Sequence, residues 1–151
     1  MADTKVDLKK VLERLFVTER LAVLATGGDS GPYTSLMSVA VTPDLAQIFF
    51  VTDRSSRKYL NIIKNTEVAL LFDNRCESGG DLQRTIAVTV LGRAEQVMEQ
   101  EKAAFLETFL AVHPHLDSVV RSPSTVLVVV AVSSYLVVRG FDDVRELILQ
   151  E

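Results

Sequence analysis

Tryptophan is absent from this chain, and cysteine occurs once, at Cys76. A lone thiol excludes a disulfide framework and a multi-thiolate metal cluster, and a reducing cytoplasm fits it. The only two histidines, His113 and His115, flank Pro114 in one turn, with no cysteine or acidic ligand set beside them. That ligand count argues for exposed turn residues rather than a metal site. There is no basic excess: 16 Lys and Arg stand against 20 Asp and Glu, a net charge of −4. A nucleic-acid partner needs a basic surface that releases counterions, so that class is set aside. Long hydrophobic runs are missing too. The longest nearly apolar stretch, Val126–Val132, is far too short to span a bilayer and reads as a buried strand. Met1–Lys5 lacks the basic start and apolar core of a signal peptide. Neither a Walker pattern nor G-x-G-x-x-G occurs, which excludes a Rossmann-type nucleotide site.

What remains is an ordinary soluble composition over residues 1–151, read as a single domain that needs no covalent staple. Leu8, Val11, Leu12, Leu15 and Phe16 recur at helical spacing, with Thr4 or Asp7 as a cap. Leu21–Ala25 and Tyr33–Val41 read as strands around the turn-rich stretch from Thr26 to Pro32, and Ile48–Val51 as a further strand. Ser55–Lys64 is a short helix with Tyr59, Leu60, Ile62 and Ile63 on one side. Val68–Phe72 and Thr85–Leu91 are strands around a loop at Asp73–Asp81. Helical spacing returns from Glu99, with Phe105, Leu106, Phe109 and Leu110 as its stripe, and ends near His113. Thr125–Val132 is the most β-branched strand, extended by Tyr135–Val138, and Asp142–Leu149 is read as a last short helix. About six strands with a few irregular helices exclude a parallel βαβ sheet and favour an α+β class with a barrel-like antiparallel sheet.

One segment breaks a local rule. In Thr52-Asp53-Arg54-Ser55-Ser56-Arg57-Lys58, Arg57 and Lys58 fall in the first turn of a helix, where the macrodipole disfavours positive charge. Arg54 adds a third cation. Hydroxyls, amides and cations gathered at a helix N-terminus are what a phosphate needs. The plainer alternative is that Ser55 or Ser56 caps the helix and the cations are solvated. Elsewhere, Cys76 beside Arg75 is an activated or an unremarkable thiol, and Asp73-Asn74-Arg75 either approaches a ligand or is a polar loop. Arg93 and Glu95 face solvent. No residues that could form a Ser-His-Asp triad or a carboxylate pair are placed together.

Val51-Thr52 followed by Ser56-Arg57-Lys58 resembles the Tyr-Thr…Ser-Arg-Lys phosphate motif of the FMN-binding split β-barrels related to pyridoxine 5′-phosphate oxidase. Leu36-Met37-Ser38-Val39-Ala40-Val41 resembles the strand that underlies the flavin in that family. Asn61, Asn65, Val68, Leu70-Leu71-Phe72 and Gly92-Arg93-Ala94-Glu95 resemble its later runs, so that the likeness covers roughly Leu21 to Glu95. The resemblance implies a split barrel with FMN as cofactor. Thr52, Ser56, Arg57 and Lys58, next to Val51, would hold the phosphate, and the backbone of Leu36, Met37, Ser38 and Val39 would face the ring. It also implies a cytoplasmic homodimer with the flavin at the subunit interface. The partner chain would contribute from around Asn74 to Thr85, or through Arg139.

The departures bear on activity. Where the vitamin oxidase has an arginine and a lysine at the two ends of the ring strand, this chain has Leu36 and Val41. Its C-terminal tryptophan and Arg-x-His motif also find no match near Val138–Leu149. The resemblance therefore implies a flavoprotein distinct from that oxidase. An FMN-dependent oxidoreductase fed by a reduced nicotinamide is the first expectation, since Ser38, Val39 and Ala40 leave the ring reachable. A non-catalytic electron carrier or stress-response sensor is the second. A deazaflavin or haem protein is the third, and haem lacks an axial ligand near the motif.

Overall fold

The computed structural model describes residues 5–150. Helix α1 (Lys5–Thr18) precedes the hairpin of β1 (Leu21–Gly28) and β2 (Gly31–Ser38), which turns at Asp29-Ser30. A two-residue β3 (Ala40–Val41), β4 (Gln47–Asp53), helix α2 (Arg57–Lys64) and β5 (Glu67–Asp73) follow. A one-turn helix α3 (Arg75–Ser78) leads to β6 (Ile86–Gln96), helix α4 (Glu99–Val112) and a short α5 (Asp117–Val120). The long β7 (Thr125–Arg139) and β8 (Asp143–Ile148) complete the chain. Thr4, one of the two expected caps, lies outside the described residues, and Asp7 sits inside α1 rather than at its cap.

All eight strands join one antiparallel sheet in the order β2-β1-β5-β6-β7-β4-β3, with β8 also on β7. The sheet curls into a split barrel whose two ends, β2 and the β4–β3 pair, approach each other without hydrogen-bonding. Two expectations change. The strands number eight rather than six, and the segment from Asp142 is a strand, not a helix. Over so few residues helical and strand periods are hard to separate. The second half of β7 has an edge left open where β4 stops, and Asp143–Ile148 pairs there, opposite Ser134–Arg139.

Leu8, Leu12 and Leu15 of α1 are buried in the barrel core, and Phe16 meets Phe72 edge-on at 4.8 Å. Burying each leucine contributes about 1.5–3 kcal/mol. A second cluster lies outside the barrel, where Phe109 of α4 packs with Phe49, Val51, Val97, Leu127 and Val129. That packing ties α4 to the strand leading into the phosphate segment.

The chain needs glycine at position 92. The β6–β7 register shifts between Leu91 and Gly92, and a Cβ on Gly92 would meet the Ala131 carbonyl oxygen at 2.5 Å and Val130 Cγ1 at 2.8 Å. Strand backbone cannot retreat as a flexible side chain can. Gly92→Ala is expected to cost about 1–3 kcal/mol, read as a lowered urea midpoint with an unchanged slope.

Leu45 takes a left-handed backbone (φ 64°) in the turn between β3 and β4. It is buried, and its carbonyl accepts the Tyr135 hydroxyl at 2.8 Å. Burial pushes the Tyr135 pKa up, so the phenol stays a donor.

Candidate phosphate and ring site

The phosphate corner begins with the end of β4. Val51 is buried against the α4 cluster, so the next residue, Thr52, turns its side chain to the opposite face. Thr52 Oγ1 lies 2.9 Å from Ser56 Oγ. Asp53 orders the turn between them: its carboxylate accepts from the Ser55 amide (2.8 Å), the Ser55 hydroxyl (2.6 Å) and the Ser124 hydroxyl (2.9 Å). Those bonds, the Ser55 hydroxyl foremost, hold the Asp53 carboxyl below its ordinary value.

Ser56 is the N-cap of α2 and accepts from the Tyr59 amide at 3.3 Å, as the plainer sequence reading holds. The cap leaves two donors over. Among the described residues, the backbone amides of Arg57 and Lys58 find no hydrogen-bond acceptor. No carboxylate among the described residues lies within ion-pair distance of either side chain. The Arg57 guanidinium instead sits 4.8 Å from the Tyr33 ring centroid, a cation–π contact that reaches from α2 to β2. The corner thus holds two hydroxyls, two amides and two cations, with the helix dipole aligned to favour an anion. This donor chemistry fits a phosphate.

Helix α2 is held in place by close approach. The Asn61 side chain is buried and donates to Thr26 Oγ1 at 3.0 Å, and a Cβ on Gly28 would collide with Asn61 Oδ1. Tyr59 and Ile62 are buried beside it, whereas Leu60 and Ile63 are exposed. The helix therefore turns Asn61 inward where an all-apolar stripe was expected.

Hydrogen-bond parity separates the four ring-strand residues. The Val39 amide donates to the Arg20 carbonyl at 3.1 Å, continuing the β1–β2 ladder. Alternation then turns the backbone groups of Met37 toward β1 and those of Leu36 and Ser38 toward the free edge of β2. Pro32, which has no N–H, lies on that same edge. The Met37 side chain is buried in the core, while that of Leu36 is exposed on the outer face of the sheet. Leu36 and Ser38 are accordingly the residues whose backbone is available to a ligand.

The outer face is apolar across its width. Leu36, Val23, Leu71, Thr89, Leu136 and Glu146 stand in one directly opposed row across β2, β1, β5, β6, β7 and β8. Opposed residues share a face. Leu21, Leu91, Val144 and Ile148 are exposed on this face beside the row. A groove on the face is lined by Leu21, Val23, Leu36, Leu71, Arg75 and Cys76.

Asp73 and Arg75 form a bidentate pair beside that groove, with Arg75 Nη2 at 2.7 Å and Nε at 2.9 Å from the carboxylate oxygens. The Arg75 hydrogen bond lowers the Asp73 pKa from the usual 3.8. A depressed carboxyl contributes stability above its unfolded value and loses it as pH falls through the folded one. Asp73→Asn is expected to be less stable than the parent above pH 3.8 and to converge with it in stronger acid, as urea titrations at several pH values would show.

His113 departs from its expected exposure. It is buried, and its Nε2 lies 2.8 Å from the Val39 carbonyl oxygen. Distant from the motif in sequence, it touches the ring strand in space. Sequence reading also missed Tyr33, because contacts across separate elements leave no periodic signal. Arg93 and Glu95 are exposed as expected, and Cys76 is an exposed free thiol. No group of metal ligands occurs among the described residues, and no helix there is long and apolar enough to cross a membrane.

The family model described as pyridoxamine 5′-phosphate oxidase matches residues 8–138. The chain belongs to that family. Its split barrel is similar to that of a haem-binding protein from Mycobacterium smegmatis, with a TM-score of 0.82 at 14% identity, covering 98% of this chain and 59% of that one. A protein related to general stress protein 26, from Clostridium acetobutylicum, matches with a TM-score of 0.76 at 14% identity over 97% of both chains. An FAD-binding protein from Mesorhizobium loti matches with a TM-score of 0.64 at 16% identity, over 83% of this chain and 88% of that one. At these identities the likeness is one of fold. The chain spans about three fifths of the length of the haem-binding relative. No curated protein matches the sequence.

Proposed function

We propose that this protein is a single-domain, FMN-binding oxidoreductase, distinct from the vitamin oxidase of its family and supplied with electrons by a reduced nicotinamide in the cytoplasm. The carrying observation is the corner at the start of α2. There the Thr52 and Ser56 hydroxyls, the amides of Arg57 and Lys58, and the two cationic residues come together, with no carboxylate among the described residues paired to either cation. That donor set takes a phosphate monoester, and the FAD-binding relative supports a flavin as the rest of the ligand. Bound there, a flavin would supply hydride and electron transfer. The chain's own residues hold the phosphate, and Leu36 and Ser38 present backbone groups along the free edge of β2. The apolar outer face is the surface on which a second copy would close over the site.

The haem-binding relative carries less weight here. His113, the buried histidine, already spends Nε2 on a backbone carbonyl, and the corner asks for a phosphate, which haem lacks. A carrier or stress-response role is supported by the relative of general stress protein 26, which matches over nearly the full length of both chains.

Titration of the purified protein with FMN and with riboflavin, followed by flavin fluorescence, tests the reading. One FMN per chain is expected, with riboflavin weaker by at least about a hundredfold, because it lacks the charge-assisted phosphate bonds. Failure to bind FMN sinks the cofactor. Binding with a flavin that stays oxidised under reduced nicotinamides would favour the carrier.

A further inference from the structure

Val39 occupies the break between β2 and β3, and its two backbone groups are held from different directions. Its amide donates to the Arg20 carbonyl at 3.1 Å, just before β1 begins. Its carbonyl, which the ladder no longer serves, accepts from His113 Nε2 at 2.8 Å. A carbonyl oxygen has no proton to give, so Nε2 must carry the hydrogen. Arg20 closes the arrangement by donating Nη1 to the Val112 carbonyl at 3.3 Å. His113 itself is fixed: it is the C-cap of α4, its amide bonds Phe109, and its ring packs 5.0 Å from that of Phe109 and 5.9 Å from that of His115.

The clamp acts on the cofactor strand through peptide planarity. The Ser38 carbonyl and the Val39 amide belong to one rigid plane. With the amide turned toward Arg20, the carbonyl of Ser38 must point to the free edge of β2. The Val39 carbonyl belongs to the next plane, with Ala40, so releasing it would leave the Arg20 carbonyl alone to hold the Ser38–Val39 plane at the strand break.

We propose that His113 is a positioning residue for the cofactor. By donating Nε2–H to the Val39 carbonyl, it anchors the Val39–Ala40 peptide plane, which adjoins the plane that aims the Ser38 backbone at the ligand. This rests on the flavin reading above. It assigns α4 a direct hold on the ring strand.

The test has two parts. In the ligand-free wild-type protein, nitrogen–proton correlation NMR of the imidazole should show a proton on Nε2; a bare Nε2 overturns the proposal. FMN affinity and the visible circular dichroism of the bound flavin are then compared for His113→Leu, which removes the donor, and His113→Gln, whose amide restores one. His113→Leu should raise Kd about tenfold and alter the visible band, and His113→Gln should return both close to wild type. Wild-type affinity and spectrum in His113→Leu would overturn the proposal alone, whereas wild-type protein that takes up no FMN would overturn the flavin reading with it. Should His113→Leu fail to fold, Arg20→Met removes, from an exposed position, the Nη1 bond to the Val112 carbonyl that ties the residue before His113 to the start of β1. It should raise Kd about threefold, and an unchanged value would refute the clamp.

Discussion

Replacing Arg57 and Lys58 together with alanine is expected to weaken FMN binding by about two orders of magnitude or more, while leaving the fold intact. Each side chain would remove a charge-assisted contact of about 1.5–3 kcal/mol before non-additivity. Neither carries a salt bridge among the described residues that the folded protein would lose. The unliganded variant should stay close to the parent in stability, because relief of the two cations that oppose the α2 dipole offsets the lost contact of Arg57 with the Tyr33 ring. Riboflavin, without a phosphate, should bind parent and variant alike. Isothermal titration with both ligands, beside a thermal melt, separates these outcomes. Equal loss for FMN and riboflavin would mean that the two residues shape the corner rather than hold phosphate, and unchanged FMN affinity would remove the assigned site.

Leu71→Asp with Leu91→Asp should convert the proposed dimer into a monomer at micromolar concentration. Both leucines are exposed on the outer face, on β5 and β6, and neither belongs to the phosphate corner or the ring strand. Covering each contributes about 1.5–3 kcal/mol. A carboxylate buried there without a partner costs several kcal/mol more. The combined effect should weaken self-association by more than about three orders of magnitude. Sedimentation equilibrium gives the mass, and far-ultraviolet circular dichroism checks that the monomer stays folded, as two surface substitutions should allow. A variant that still sediments as a dimer would move the interface to another face. If the flavin lies between subunits, the monomer should also lose most of its FMN affinity even though Thr52, Ser56, Arg57 and Lys58 are untouched.

The phosphate corner was legible in the sequence because its components are local. Thr52 and Ser56 are one turn apart, and two cations at a helix start violate a rule that only an anion repairs. The β1–β2 hairpin was legible for the same reason, since three glycines, the turn residues Asp29-Ser30 and a proline lie together. Asp143–Ile148 was not. Its six residues carry too little periodicity to distinguish helix from strand, and the open edge of β7 decided the matter. The inward turn of Asn61 depended likewise on Thr26, which is 35 positions away.

The sequence by itself determined the antiparallel barrel class, the anion-seeking start of α2 and the family resemblance, because these rest on short-range chemistry and spacing. Only the tertiary structure decided which ring-strand residues have backbone to offer. Ladder parity turns Leu36 and Ser38 outward and Met37 toward β1, and the Val39 carbonyl is held by a histidine 74 positions away. That placement also changed the standing of His113 from an exposed turn residue to a buried donor. A hydrogen bond between distant elements depends on how the sheet curls and where α4 lands, and no local pattern of residues encodes either.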